Sequence, residues 1–332
     1  MNDYIIAVGG ADAGFTPSMP FVGRKFDGAK IAGLARLMLE IALVRCGFDI
    51  SDRSTPITDT QEMIFQANRS GADCIIVLSC DAFGSRKSFN DVKGGTVKYS
   101  IGRHGARSRE LAEDVCAKIG GAVDCKTTMC NHEWNGAACP AIVVEMGYLT
   151  NFDEAKLMCD PDYIHNIAEY ATMGICEYFG MPYIPHSPAA YKPLSAKIGL
   201  RGKYIKLLQA ALCCNGYPVE IDGVYGKNTD LAVKEFCINN ESKDDYLRDL
   251  LFFAPRDIQL ESKHNGVLYI QRKLNAKLYS APTSGTLCPD TVIAINEYLT
   301  ETENAHLVAQ DGINEDATKL LTQIGGGRPR LF

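Results

Sequence analysis

The chain has 332 residues, enough for two or three domains at about 150 residues each. It is 46% hydrophobic and 22% charged, which is typical of a folded globular protein and excludes a largely disordered one. Since no apolar run approaches the roughly 20 residues of a membrane helix, no membrane span is expected. The net charge is −6 and no long basic block is present, so nucleic acid is not expected as a partner.

The first residues lead directly into an apolar, strand-like run at positions 5–8. A secretion signal would show a basic segment, an apolar segment and a cleavage site before such a run, so synthesis in the cytoplasm without a signal peptide is expected. The thirteen cysteines are an odd number, and the adjacent pair Cys213 and Cys214 does not suit a disulfide framework. Most cysteines are therefore interpreted as reduced, buried side chains.

Residues 4–180 alternate strand-like apolar runs with amphipathic helices, which predicts an α/β domain. A helix is predicted to begin after Asp27, whose carboxylate suits an N-cap, and to end at Gly47. The unbroken apolar runs at 74–78 and 141–144 predict strands that are covered on both faces.

Four prolines fall within residues 181–197, a composition that disfavours helices and sheet interiors and predicts a linker. Beyond it, a weak internal repeat relates residues 204–212 to 268–274, and residues 229–233 to 291–295. The predicted organisation is an α/β domain at 1–180, a linker at 181–197, two small three-helix modules at 198–262 and 263–325, and a tail at 326–332.

Residues 140–151 carry the most specific family motif, and a Gly-rich turn at 9–14 precedes it. Together they resemble the zinc-dependent N-acetylmuramoyl-L-alanine amidases, which cut the bond between glycan and stem peptide in bacterial cell wall. The two C-terminal repeats resemble the helical peptidoglycan-binding module. The resemblance implies an α/β fold with an amidase-like mixed sheet flanked by helices, two small three-helix modules, and peptidoglycan as the partner.

Within the modules, the resemblance assigns peptidoglycan binding to Tyr217, Asp222, Tyr225, Thr229, Asp311 and Thr318. For the two tyrosines the alternative is a structural role, because an aromatic ring next to a turn also closes a small core. Asp222 precedes a glycine and is, in addition, an ordinary turn residue.

The resembled family holds zinc with a His before the first glycine pair, a Glu opening the first long helix and a His ending the central strand. Counting from the glycines and along the strand places Val8, Gly28 and Ser79 at these positions, and none of them is an expected zinc ligand. Glu145 stands where the family keeps its catalytic Glu. A general base alone increases the reaction rate by about 10²–10⁴-fold. This is well short of the rate enhancement of roughly 10⁶-fold or more that enzymes provide.

The sequence therefore predicts no bound zinc and no efficient zinc-amidase activity. Glu145 is interpreted as a vestigial or substrate-contacting residue, with a purely structural carboxylate as the alternative. Another cation that prefers oxygen ligands is an open alternative. The residues near the expected pocket that could hold it are Asp12, Asp27, Cys80, Asp81 and Glu145.

A second set of possible metal ligands lies in one stretch, and its spacing departs from ordinary zinc modules. It consists of Cys125, Cys130, His132 and Cys139, and the alternative is a loop with incidental thiols. Three further histidines have no matched acidic or thiol partner in the sequence and are expected to be surface or helix residues: His104, His165 and His186.

The leading hypothesis is a peptidoglycan-directed binding or scaffolding protein built on a degenerate amidase domain. One alternative is an active phage-type endolysin amidase that hydrolyses the N-acetylmuramoyl-L-alanine bond. Another is a component of a phage tail or contractile injection particle. In each case the protein is expected to act at the bacterial cell wall or within a particle.

Overall fold

The structure is a computed structural model that describes residues 4–12, 27–51, 59–84, 88–120, 125–130, 132–192, 194, 196–243, 245–307 and 311–324, without the side chains of residues 11, 12 and 132. The predicted tail at 326–332 lies outside these residues, as do the last two residues of the Gly-rich turn at 9–14. None of the described helices is both long and apolar enough to cross a membrane.

A six-stranded mixed sheet forms the centre of the N-terminal domain, in the order β2-β1-β3-β6-β4-β5. The strands are β1 (Ile5–Asp12), β2 (Asp49–Ile50), β3 (Cys74–Asp81), β4 (Thr96–Tyr99), β5 (Lys126–Met129) and β6 (Ala141–Tyr148). Strands β1, β3 and β6 run parallel, whereas β4 is antiparallel to β6. The predicted strands at 74–78 and 141–144 are confirmed as the first halves of β3 and β6.

Within the described residues, five helices flank the sheet: α1 (Gly28–Arg45), α2 (Thr60–Ser70), α3 (Gly105–Ile119), α4 (Phe152–Cys159) and α5 (Pro161–Phe179). The predicted cap of α1 is confirmed, because the Asp27 carboxylate accepts the Lys30 N–H at 3.1 Å. Gly47, just after the helix, has a φ of +99°, a backbone conformation that favours glycine.

Alternate residues of the strands face two separate cores, as the pleat of a strand requires. Val8, Ile76 and Ile142 pack with the apolar faces of α1, α3 and α5, and we call this side the α1 face. Ile75 and Ala141 pack with α2, and we call this side the α2 face. The sheet is therefore covered by helices on both sides, as predicted for an α/β layered domain.

The C-terminal part forms two small helical modules, and the mixed sheet followed by helical modules confirms the predicted fold class. The first contains α6 (Lys203–Cys214), α7 (Lys227–Asn240) and α8 (Tyr246–Leu251). The second contains β7 (Ile258–Gln259), α9 (Asn265–Ala276), α10 (Pro289–Glu301), β8 (Gly312–Ile313) and α11 (Glu315–Thr322). Because β7 pairs with β8, residues 258–259 pack with the second module, although the sequence analysis assigned them to the first.

A buried glutamine holds the turn of each module. The Gln209 amide donates to the Thr229 hydroxyl at 3.2 Å, and its carbonyl oxygen accepts the Gly223 N–H at 2.9 Å. Gly223 and Gly285, its equivalent in the second module, both have a positive φ, a backbone conformation that residues with a side chain disfavour. The second module repeats the bonds with Gln271, Thr291 and Gly285.

Both modules pack directly on the N-terminal domain. Lys206 of α6 donates to the carbonyl of Ile50 in β2. Lys273 of α9 has a side chain only 1% exposed, and its ammonium lies 2.8 Å from Asp160 and 2.6 Å from Asp162 at the start of α5. The two modules are thus anchored by buried lysines to different parts of the same domain.

The stretch predicted as a linker is packed as far as the structure describes it continuously, to residue 192. The ring of Tyr191 is 4% exposed, and its hydroxyl accepts a hydrogen bond from Arg45 of α1 at 2.9 Å. Helix α5 ends at Phe179 with Gly180 as its C-cap, and the proline-rich stretch that follows is packed against the domain. The domain boundaries themselves stay a prediction.

Candidate functional site

Glu145 lies near the carboxyl end of β6, between β3 and β4. Its register partners are Ser79 on one side and Thr96 on the other. Strand alternation places Glu145 on the α2 face, together with Thr96 and Lys98 of β4. Because β3 and β6 are parallel, their carboxyl ends meet at one edge of the sheet, where β3 ends with Asp81.

Side chains of β4 contact both oxygens of the Glu145 carboxylate. Lys98 Nζ forms an ion pair with Oε1, and the Thr96 hydroxyl donates to Oε2. Lys98 Nζ also lies 3.5 Å from Oδ2 of Asp81, and the two carboxyl groups are hydrogen-bonded to each other. The Glu145 side chain is 4% exposed and that of Lys98 33%, so the cluster is buried at Glu145 and open to solvent at Lys98.

The two carboxyl groups titrate as an interacting pair. Burial raises the pKa of Glu145, and the hydrogen bond with Asp81 raises it further. Burial also opposes ionisation of Asp81, but hydrogen bonds with Glu145 and the Ala82 N–H, together with the Lys98 charge, lower its pKa overall. Contacts with both carboxylates outweigh the burial of Lys98 and raise its pKa, so the ammonium stays charged.

These residues do not fit a hydrolytic zinc ion. Such an ion takes about three protein ligands and leaves one position for water. Asp81 and Glu145 offer oxygens, but a charged lysine has no lone pair to donate, and its ammonium already lies against both carboxylates. Across the described ranges, no third His, Cys, Asp or Glu joins these two in a group with metal-ligand spacing.

The three positions counted for the missing ligands fall on β1, α1 and β3, and Val8 and Ser79 lie on opposite faces of the sheet. Val8 is fully buried on the α1 face, the opposite side of the sheet from Glu145. Gly28 is the first residue of α1. Ser79 is a register partner of Glu145, but its hydroxyl bonds to the Cys80 carbonyl at 3.3 Å, and the strand continues past it.

The count along the central strand needs a correction, because β3 ends at Asp81 and not at Ser79. The apolar run ends at Leu78, which suggested an earlier strand end, whereas ladder pairing with β6 continues through a bulge to Asp81. Asp81 is therefore the last residue of the central strand. A carboxylate there can ligate a metal, but in this chain it accepts the Lys98 ammonium.

Of the acids and thiols proposed for another cation, the structure brings Asp81 and Glu145 together. Asp27 caps α1 and forms an exposed ion pair with Lys30 at 3.3 Å. Cys80 is fully buried in the core on the α1 face. The side chain of Asp12 lies outside the described residues.

The cysteines of the second candidate metal set lie on different sides of the sheet. Cys125 packs against the core on the α1 face, and its sulfur is 2.8 Å from that of Cys116. Cys130 and Cys139 belong to the core on the α2 face, where burial raises the pKa of each thiol to about 12. The His132 side chain is outside the described residues, and the three thiols do not form one site.

A cluster that the sequence analysis missed joins His165 and Glu169 of α5 with His186, whose ligand atoms lie within 4.8 Å of one another. Arg45 ends α1 and therefore lies at the sheet edge opposite Glu145, and its guanidinium forms a buried ion pair with Glu169. The Tyr183 hydroxyl donates to the same carboxylate at 2.6 Å. The Arg45 guanidinium thus already provides the positive charge that balances the Glu169 carboxylate.

Burial, the neighbouring His165 and the Arg45 charge lower the pKa of His186 to about 3, so its ring is neutral at physiological pH. Its Nδ1 lies 2.8 Å from the Tyr191 hydroxyl, and its ring stacks on Phe252 at 4.5 Å. The spacing of His165 and Glu169 in α5 was a signal that the sequence offered. His186 lies in the proline-rich stretch, where no periodicity indicates its neighbours. His104 directly precedes α3.

Most of the module residues assigned to peptidoglycan have buried side chains. Tyr217 and Tyr225 are 2% and 3% exposed, and Tyr217 packs edge-on against Phe236 at 5.6 Å. Thr229 and Thr318 are also buried, with hydroxyls engaged inside the modules.

The two assigned aspartates are more accessible. Asp222 accepts the Gln209 amide at 2.8 Å, and the Asp311 side chain is exposed. Binding of peptidoglycan by the six assigned residues stays a prediction.

Residues 31–177 match the family model described as N-acetylmuramoyl-L-alanine amidase, so this part of the chain is an amidase-like domain. Among curated protein sequences, none matches the chain. Similar solved structures include the amidase AmiC2 of Nostoc punctiforme, with 19% identity and a TM-score of 0.44, covering 54% of this chain and 98% of that one. An N-acetylmuramoyl-L-alanine amidase from Clostridium difficile 630 has 20% identity and a TM-score of 0.44, with coverages of 54% and 98%. The catalytic domain of CwlV from Bacillus (Paenibacillus) polymyxa var. colistinus has 18% identity and a TM-score of 0.43, with coverages of 54% and 99%.

Proposed function

We propose that the chain is a peptidoglycan-directed binding or scaffolding protein whose amidase-like domain does not hydrolyse its ligand. One observation carries the proposal: the Lys98 ammonium lies against Glu145 and Asp81, the two acids at the edge of the sheet where the resembled family holds its metal. A fixed side-chain cation neutralises the carboxylates, but it cannot bind and acidify a water molecule as a metal does.

The state of Glu145 supports the same conclusion. A general base needs an ionised carboxylate with an oxygen directed at the water that it deprotonates. Both oxygens of Glu145 are engaged, one by Lys98 and one by Thr96. The carboxylate therefore stabilises β4 against β6 in place of activating water.

Two equivalent exposed side chains support binding by the modules. Leu231 of α7 is 63% exposed and Ile293 of α10 is 57% exposed. The separation in sequence between Leu231 and Ile293 equals that between Gln209 and Gln271, the two equivalent glutamines. Leu231 and Ile293 therefore occupy equivalent positions of the repeat. Large apolar side chains left exposed at the same place in two copies favour a shared ligand-binding role over chance.

Packing of the modules on the N-terminal domain sets their relative orientation. Lys206 anchors the first module and Lys273 the second. An extended polymer such as a glycan strand can then contact both modules without first ordering a flexible connection, which reduces the entropic cost of binding.

The proposal is tested with purified full-length protein and isolated sacculi. We expect the wild type to sediment with sacculi, and to release no more stem peptide than Glu145→Gln does, with or without added zinc. Release by the wild type that Glu145→Gln abolishes would establish the alternative, an active endolysin-type amidase.

The binding half is tested with Leu231→Asp combined with Ile293→Asp, which should weaken sedimentation at least tenfold. The matched control is Phe65→Asp, which changes a 59% exposed side chain on α2 of the N-terminal domain and should leave sedimentation unchanged. Failure of the wild type to sediment with sacculi would refute the binding role. Co-purification with tail or baseplate proteins would support the particle alternative.

A further inference from the structure

Two cysteine side chains face each other at the edge of the N-terminal domain. Cys116 lies in the last turn of α3, and Cys125 immediately precedes β5. Their sulfur atoms are 2.8 Å apart, less than an ångström beyond the length of a disulfide bond, about 2.05 Å. Both side chains are only partly buried, so a small reagent can reach them.

We propose that Cys116 and Cys125 are a modification site that forms a reversible disulfide by exchange with a small-molecule disulfide such as oxidised glutathione. The thiolate of one cysteine attacks a sulfur of the glutathione disulfide, which gives a mixed disulfide and releases one glutathione thiolate. The second cysteine then attacks the protein sulfur of that mixed disulfide and releases the other glutathione. The two protons from the cysteine thiols end on the two glutathione molecules, which together accept the two electrons.

The crosslink would fasten the strand that lies beside the Lys98 cluster. β5 pairs in register with β4, with Thr96 opposite Lys126 and Lys98 opposite Thr128. β4 in turn holds Glu145 through Thr96 and Lys98. A disulfide at the start of β5 therefore joins α3 to the edge of the sheet that carries these contacts.

Other cysteines are less suited to the same exchange. Cys130 and Cys139 are buried thiols whose pKa is raised to about 12, and the attacking species is the thiolate. Cys46 and Cys176 are hydrogen-bonded to each other, but both are 2% exposed, which denies access to a tripeptide disulfide. The Cys116 and Cys125 pair combines contact between the thiols with access from solvent.

The test uses the full-length reduced chain, incubated with oxidised glutathione, alkylated and digested with trypsin without reduction. Trypsin cleaves after Lys118, between the two cysteines, so a disulfide appears in the mass spectrum as two linked peptides. We expect that linked pair in the wild type, with both cysteines lost from the alkylated fraction and recovered after reduction. In Cys116→Ser and in Cys125→Ser, the remaining thiol should instead retain a glutathione adduct.

Cys46→Ser is the matched control, since it removes one thiol of the buried contacting pair and should leave the 116–125 link intact. The proposal is overturned if Cys116 and Cys125 of the wild type stay alkylated, if each retains its own glutathione, or if the link joins other cysteines.

Discussion

Replacing Lys98 by Met tests the charge cluster most sharply, because it removes the cation and keeps most of the apolar stem. Removing one partner of a buried ion pair costs about 3–5 kcal/mol of unfolding free energy. The Lys98 side chain is 33% exposed, so solvent screens part of the interaction and a loss of about 2–3 kcal/mol is expected at pH 7.

Protonation sets an upper limit on this loss. With the ammonium gone, Glu145 can take up a proton, which for an ordinary Glu costs about 3.7 kcal/mol at pH 7 and about 1 kcal/mol at pH 5. The pKa of Glu145, already raised by burial and by Asp81, rises further in the variant. A carboxyl with a raised pKa in the folded state loses stability as the pH rises through that pKa. The variant should therefore be least destabilised near pH 5 and most near pH 7–8.

The assay is urea unfolding at pH 5 and pH 7, followed by tryptophan fluorescence. The only tryptophan of the chain, Trp134, is 7% exposed in the core on the α2 face and reports on the domain that holds the cluster. Lys234→Met is the matched control, because it breaks an exposed ion pair with Asp230 and should cost less than about 0.5 kcal/mol at either pH. A Lys98→Met loss below about 0.5 kcal/mol, or one equal at both pH values, would show that Lys98 does not stabilise the buried carboxylates.

Three further predictions concern the modules and the thiols. Gln271→Leu leaves the Gly285 N–H without its bond and should lower the unfolding free energy of the second module by about 2–3 kcal/mol, measured by urea titration, whereas the exposed Gln323→Leu should change it little. Lys273→Met leaves the carboxylates of Asp160 and Asp162 without their cation and should lower the unfolding free energy by about 3–5 kcal/mol. Proteolysis of the second module should therefore become faster, and an unchanged cleavage rate would contradict the packing of this module on the N-terminal domain. Oxidation of Cys116 and Cys125 closes a loop of about ten residues and should raise stability by about 2–3 kcal/mol in thermal unfolding, a gain that Cys116→Ser should abolish.

The sheet and its helices could be predicted from the sequence because the capping residue and the apolar runs coincide with the caps and buried strands of the structure. The Asp27 cap and the apolar runs of β3 and β6 lie where the pattern placed them. The short strands β4 and β5 gave no such signal, since each has only four residues and mixes polar with apolar side chains. The position of β4 is set by its long-range pairing with β6, and that of β5 by pairing with β4.

Only part of the candidate site could be predicted, because the rest depends on long-range strand pairing. Glu145 was placed by its motif, but the role of Lys98 depends on β4 lying antiparallel beside β6. The end of β3 was misjudged because Asp81 is polar, and polarity there reflects the charge cluster and not the end of pairing. In the modules, the buried Gln209 links residues that are distant in sequence, and no periodicity reveals such a bond.

The most direct measurement is an anomalous-scattering map at the zinc edge, from crystals of the full chain grown with zinc. We expect electron density for the Lys98 ammonium between Asp81 and Glu145, with no anomalous peak there. An anomalous peak that both carboxylates coordinate, with Lys98 displaced, would contradict it.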